Sequence, residues 1–252
     1  MRTIHQSRHA HASIDDAGIG TLQLNEAGKL NIVGSAAITD LRVALTRLAA
    51  LDSLRVLVLR GSGEQAFIGG ADIAEMVTLT RHSAKAFISN LAGLCDAVAQ
   101  LPVPVIARLS GWCLGGGLEV AMACDLRLAD ASAKFGMPEV KVGIPSVIHA
   151  ALLPQLIGQS RARWMLLSGE NIDAEQAQDW GLVHECCALG GLDALVEQRA
   201  RTLASLPPQA VRQQKRLLRH WQAVTPAKAI ADSIDEFARA YDSGEPQALM
   251  GA

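Results

Sequence analysis

Residues 110–125 read SGWCLGGGLEVAMACD, and the rest of the chain is organised around them. Three consecutive glycines, Gly115, Gly116 and Gly117, run into an apolar segment carrying one acid, Glu119. Consecutive glycines cost backbone entropy, so they mark a backbone that must approach something closely. The apolar run reads as a buried helix whose N-terminus lies in the glycines. Such a terminus has free N–H groups and partial positive charge, and it can hold an oxyanion. Glu119 falls in the first turn, either as a partner of the helix dipole or as an acid/base group. A second acid, Glu139, follows in FGMPEVKVGIP (135–145). Taken alone, Glu139 reads first as a surface loop acid after Pro138.

The flanks alternate strand and helix. GIGTLQL (18–24) alternates in polarity, and LRVLVLR (54–60) and VIARL (105–109) are short apolar runs of the kind found in buried strands. Residues 126–129, 134–135 and 181–186 extend this strand set. Helical stripes are predicted over 36–51 and 81–101, the second stopped by Pro102 and Pro104. In FIGGADIAEM (67–76), Asp72 and Glu75 have capping-box spacing, so a short helix is expected there. From residue 149 the pattern is mostly helical, with helices over 150–157, 161–167 and 174–180, and then over 192–203, 208–221 and 226–241. The fold class is α/β, with a core over 1–190 and a helical region over 191–252.

Composition excludes several classes. The 252 residues are 50% hydrophobic and 19% charged, with a formal charge of −2, so nucleic acid or an anionic membrane is not the expected partner. The five cysteines show no CxxC spacing and read as reduced, which together with the absence of an apolar leader predicts a cytoplasmic protein. No run of about 18 residues is free of charge and polar breaks, so no membrane span is expected. His5, His9 and His11 form either a metal-binding tract or an ordinary first strand, and no cysteine or carboxylate cluster joins them. The contiguous glycines do not make a G-x-G-x-x-G fingerprint, and there is neither a P-loop nor a G-x-S-x-G elbow.

Two glutamates near two glycine turns, FIGGADI and LGGGLE, suggest backbone donors for one developing oxyanion and a carboxylate pair sharing proton transfer. For each residue a plain alternative stands: Asp72 caps a helix, Trp112 and Cys113 pack, and RQQKRLLR (212–219) is a solvated basic face, a CoA-phosphate contact or an RNA contact.

FIGGADIAEM, PVIARLSGWCLGGGLEVAMACDLRLA, FGMPEVKVGIP and LSGENIDAEQAQDWGLVHEC together resemble the crotonase superfamily, the enoyl-CoA hydratase/isomerase family. The similarity covers about residues 20–187 and extends more weakly into the C-terminal helices. It implies a spiral of ββα units with C-terminal helices that build trimers or dimers of trimers. It also implies an acyl-CoA thioester as substrate. CoA then belongs to the substrate, and neither cofactor nor metal is implied. By the same resemblance, Gly69 and Gly116 match the oxyanion-hole donors, and Gly70, Ala71 and Asp72 the substrate-binding stretch. Glu119 and Glu139 match the catalytic pair of hydratases. Isomerisation, thioester hydrolysis and non-catalytic acyl-CoA or RNA binding remain alternatives. The chain departs from the family at GIPSVIHAALL (143–153), where members carry a glycine-rich IPGGGG-type turn. There Ser146, Val147 and His149 are expected to reshape the acyl pocket, with His149 either contacting substrate or facing solvent. A C-terminal AF-x-x-K-R motif is also missing from 245–252.

Overall fold

Short runs buried on both faces can only pair with other buried runs, and here they assemble the larger of two sheets. The structure, a computed structural model, describes residues 1–251. In chain order the elements are β1 (Arg2–Gln6), β2 (Ala10–Ile14), β3 (Ile19–Leu24), α1 (Ser35–Ala49), β4 (Val56–Arg60), β5 (Ala66–Ile68), α2 (Ile73–Met76) and α3 (Arg81–Ala99). Next come β6 (Val105–Leu109), β7 (Trp112–Leu114), α4 (Gly116–Ala123), β8 (Leu126–Asp130), β9 (Lys134–Gly136), α5 (Leu153–Ile157) and α6 (Gln159–Ser168). The chain continues through β10 (Asn171–Asp173), α7 (Ala174–Asp179), β11 (Glu185–Cys187), α8 (Leu192–Ala204), α9 (Pro208–Ala223), α10 (Pro226–Ala240) and α11 (Glu245–Met250). Two single 3-10 turns, Pro138–Val142 and Ile148–Leu152, carry the segment between β9 and α5.

The larger sheet runs β1-β2-β3-β4-β6-β8-β11 and the smaller β10-β9-β7-β5. In the larger sheet β1, β2 and β3 pair antiparallel and every later pair is parallel. Where one strand was expected in the histidine-rich start, the chain folds back as the β1–β2 hairpin. His5 is buried, Gln6 pairs with His11, and the three histidines do not converge. No group of three His, Cys, Asp or Glu side chains among the described residues is placed to hold a metal ion. The smaller sheet consists of three-residue strands, and β7 and β10 were not anticipated. Trp112, expected to pack, is 39% exposed on β7, whereas Cys113 beside it is fully buried. No helix among the described residues is long and apolar enough to cross a membrane.

α8 follows directly after the expected boundary at residue 190 and packs on the larger sheet. Leu192, Val196 and Ala200 of α8 are buried against Val56, Val58, Ile106 and Leu128 on one face of the larger sheet. The basic segment of α9 is only in part a solvated face: Arg216 and Arg219 are exposed, whereas Lys215 and Arg212 turn inward. Lys215 is buried, and its ammonium donates to Val103 O (2.8 Å) and Asp125 Oδ2 (2.7 Å). The same Asp125 oxygen accepts the Val105 N–H at 2.7 Å. Arg212 donates to Leu54 O at 3.0 Å. Two of the four basic residues are therefore spent inside the molecule, tying α9 to the strand entries that precede β4 and β6.

Removing one partner of a buried ion pair leaves the other desolvated and unpaired. Lys215→Ala is expected to cost about 3–5 kcal/mol, read as a lower urea midpoint, with part of the loss recovered in Lys215→Met/Asp125→Asn. An unchanged midpoint in Lys215→Ala contradicts this anchoring role.

Candidate active site

The glycine triplet does three different jobs. Gly115 has φ +51°, a left-handed conformation, and a Cβ there would lie 2.6 Å from Glu139 Oε1. Gly117 lets α4 lie directly on β5, since its Cβ would sit 2.2 Å from Ile68 O. Gly116 is the first residue of α4. Its N–H has no hydrogen-bond partner among the described residues, and the residue lines a cavity of about 620 Å³. All eight residues of α4 are buried, so Glu119 is carried into the core on the helix's first turn.

Glu119 is 3% exposed and also lines the cavity. Its Oε1 accepts the Ala150 N–H at 3.0 Å. Burial pushes its carboxyl up to about 8; the Ala150 hydrogen bond pulls it down, and the charge of Glu139 pushes it further up. Glu139 enters the same cavity from the Pro138–Val142 turn, and Ser146 Oγ donates to its Oε2 at 2.8 Å. The two acids thus sit in unlike settings, one dry and held by a backbone amide, the other half-buried and held by a hydroxyl.

The Ala150 amide is delivered by a strained turn. Ile148 has φ +42°, and a β-branched residue in the left-handed region costs on the order of 1–2 kcal/mol. It occupies the stretch where the resembling family carries glycines, which adopt that conformation freely. His149 neither faces solvent nor lines the cavity: it is tucked against α3, with Nε2 3.8 Å from Asp96 Oδ1.

The other expected site residues divide. Ala71 lines the cavity; Gly69, Gly70 and Asp72 do not. The Gly69 N–H donates to Leu30 O at 2.8 Å, so it does not stand free beside the Gly116 amide. Asp72 caps α2, accepting the Ala74 N–H (2.9 Å) and Glu75 N–H (3.2 Å). Glu75 does not close the capping box. It reaches across to α1, where its Oε2 accepts the Ser35 N–H (2.8 Å) and its other oxygen accepts the Ser35 hydroxyl proton. A carboxylate thereby sits at the positive end of α1.

Sequence reasoning missed the Ala150 amide, since any residue can supply a backbone N–H. Ser146 was placed in the pocket wall, but its bond to Glu139 was not foreseen. The available signal was the unusual turn itself, a hydroxyl and three bulky residues where glycines were expected.

The folded chain holds the Glu119 proton at pH values where an unfolded carboxylate has released it. Stability is therefore expected to fall as pH rises from the ordinary carboxylate range towards about 8. Glu119→Gln should flatten that dependence in urea unfolding at pH 5 and pH 8; an identical slope in the variant would contradict the burial argument.

A model of the enoyl-CoA hydratase/isomerase family matches residues 15–247. YngF of Bacillus subtilis, which bears the same family description, is 33% identical over 204 residues, covering 81% of this chain and 78% of YngF. The crystal structure of enoyl-CoA hydratase from Bacillus anthracis superposes with a TM-score of 0.85 at 31% identity, covering 90% of this chain and 89% of that one. Enoyl-CoA hydratase subunit I of Geobacillus kaustophilus gives 0.91 at 28% identity, with 98% and 95% covered. With the α/β core, the α4 glycine turn and both carboxylates in place, the chain belongs to the enoyl-CoA hydratase/isomerase family.

Proposed function

We propose that the protein hydrates 2-enoyl-CoA thioesters. The observation that supports this most directly is the pair Glu119 and Glu139 lining one cavity with the unpaired Gly116 N–H. The thioester oxygen lies at Gly116, and one water lies between the carboxylates. The proton that the pair shares rests on Glu119 in the free protein and passes to Glu139 once substrate and water are in place; Glu119 then takes a proton from that water as its oxygen bonds to C3. The electron pair of the 2,3 double bond moves to C2 and is delocalised onto the thioester oxygen. Glu139 then gives a proton to C2. Exchange with solvent returns the pair to its starting state with one proton shared between them. Burial makes Glu119 a stronger base than a solvated carboxylate, which favours proton removal from water.

Gly69 enters this scheme by exchange. Its N–H leaves the Leu30 carbonyl for the thioester oxygen, trading one neutral hydrogen bond for another in the ground state. As enolate charge develops, the bond to the substrate becomes charge-assisted and stronger. The trade is therefore favoured in the transition state, where it lowers the barrier.

The same reading extends to assembly. Ile230, Ile234, Phe237 and Tyr241 form an exposed stripe along α10 and the turn after it, at 69%, 71%, 69% and 41% exposure. An apolar stripe on an amphipathic helix is a subunit contact in waiting, consistent with a trimer or a dimer of trimers. Light scattering of the purified protein should give three or six chains; a monodisperse monomer contradicts this part of the reading.

Loss of enoyl-thioester absorbance with crotonyl-CoA tests the reaction. Glu119→Gln and Glu139→Gln are each expected to slow it by about a hundredfold to ten-thousandfold while butyryl-CoA still binds. Full turnover in both variants would falsify the assignment.

A further inference from the structure

The cavity that holds the two glutamates does not end in an apolar wall. Its long side is α3. Leu91 packs on Gly116, with its Cδ2 2.8 Å from where a Cβ on that glycine would stand. Towards the helix N-terminus the lining continues through Phe87 and Ile88 to Lys85 and then Arg81. At 1.5 Å per residue, Lys85 and Arg81 are about 9 and 15 Å along the axis from Leu91. The opposite walls, including Met76, Leu79 and Val147, are apolar.

These two cations are placed against the preference of the helix. They lie in its first and second turns, at the positive end of the dipole, where cations are unfavourable. No acidic residue occupies that first turn. Lys85 and Arg81 are also four residues apart on one face, where like charges repel. Neither makes an ion pair or side-chain hydrogen bond among the described residues. An anion seated between Arg81 and Lys85 relieves both penalties at once. Both side chains are exposed at the cavity mouth, so an anion between them is partly solvated.

We propose that this cavity takes 2-enoyl-CoA esters whose acyl chain ends in a second carboxylate, held by Arg81 and Lys85. The proposal rests on the hydratase reading for the position of the thioester. With that carbonyl at Gly116, the acyl tail runs along α3 from Leu91 towards the cations. Charge at the far end then selects for dicarboxylic over monocarboxylic acyl groups, and the two apolar turns between set a minimum chain length.

The test compares 2-decenedioyl-CoA with 2-decenoyl-CoA, which are long enough to pass the two apolar turns and differ only in the terminal group. Wild-type kcat/KM is expected to favour the dicarboxylic ester at least tenfold. In Arg81→Gln/Lys85→Met, which keeps the side-chain stems, that ratio should fall at least tenfold. A ratio unchanged by the double substitution overturns the proposal. So does an equal loss for both esters, which would place the cations on CoA phosphate instead. If neither ester is hydrated, the hydratase reading fails, and calorimetric binding of sebacyl-CoA against decanoyl-CoA decides the pocket's preference without turnover. Tighter sebacyl-CoA binding that is lost in the double variant supports the carboxylate site; equal affinities overturn it.

Discussion

Where α4 meets β5 at Gly117, the helix contributes only bare backbone. Gly117 meets the Ile68 carbonyl directly, at a separation that a single methyl group would destroy. Because the helix lies that low, Gly116 opens its amide to the cavity and Glu119 is drawn into the core. Gly115 takes the left-handed turn needed to enter the helix and leaves room for the Glu139 carboxylate. One close approach thus places an oxyanion donor and both acids together. Bulk anywhere in the triplet disturbs several functions at once: helix seating, the donor, or the second carboxylate.

The environments of the two acids differ because the chain spends energy to make them differ. Drying a carboxylate raises its proton affinity, and the Ala150 amide limits how far. That amide comes from a turn in which Ile148 holds a conformation better suited to glycine. The strain stays local since Ile148 also packs against the core, so burial of its side chain offsets part of the cost. Strained backbone beside a functional group is a recurring way of fixing a donor in position. Ser146 in the same turn holds the other acid, so one unusual segment orients both.

Much of this was legible in the sequence. The glycine triplet, the largely buried strands β4 and β6 and the periodic helices α1 and α3 follow from local pattern, since burial on both faces or on one stripe leaves a clear signature. Glu119 and Glu139 were picked out as a pair because each follows a turn. What escaped was non-local. β7 and β10 are three residues long, and strands that short exist only by pairing with neighbours. Glu75 was read as closing its own helix, yet it caps a different one, forty positions back along the chain. The Gly69 amide looked free because nothing in FIGGADI reveals the Leu30 carbonyl above it. The basic run on α9 looked solvated because sequence shows charge and not depth.

Lys215 reaches back 112 positions to the Val103 carbonyl and 90 to Asp125. A chain emerging from the ribosome therefore exposes the strands and their polar entry points well before α9 exists to satisfy them. At roughly 5–20 residues per second, the delay between Asp125 and Lys215 amounts to several seconds of synthesis. During that interval Asp125 has the Val105 amide as a partner but no cation to match its charge. The C-terminal helices act as the closing step of maturation, and truncation upstream of them leaves the nascent core open to unwanted association.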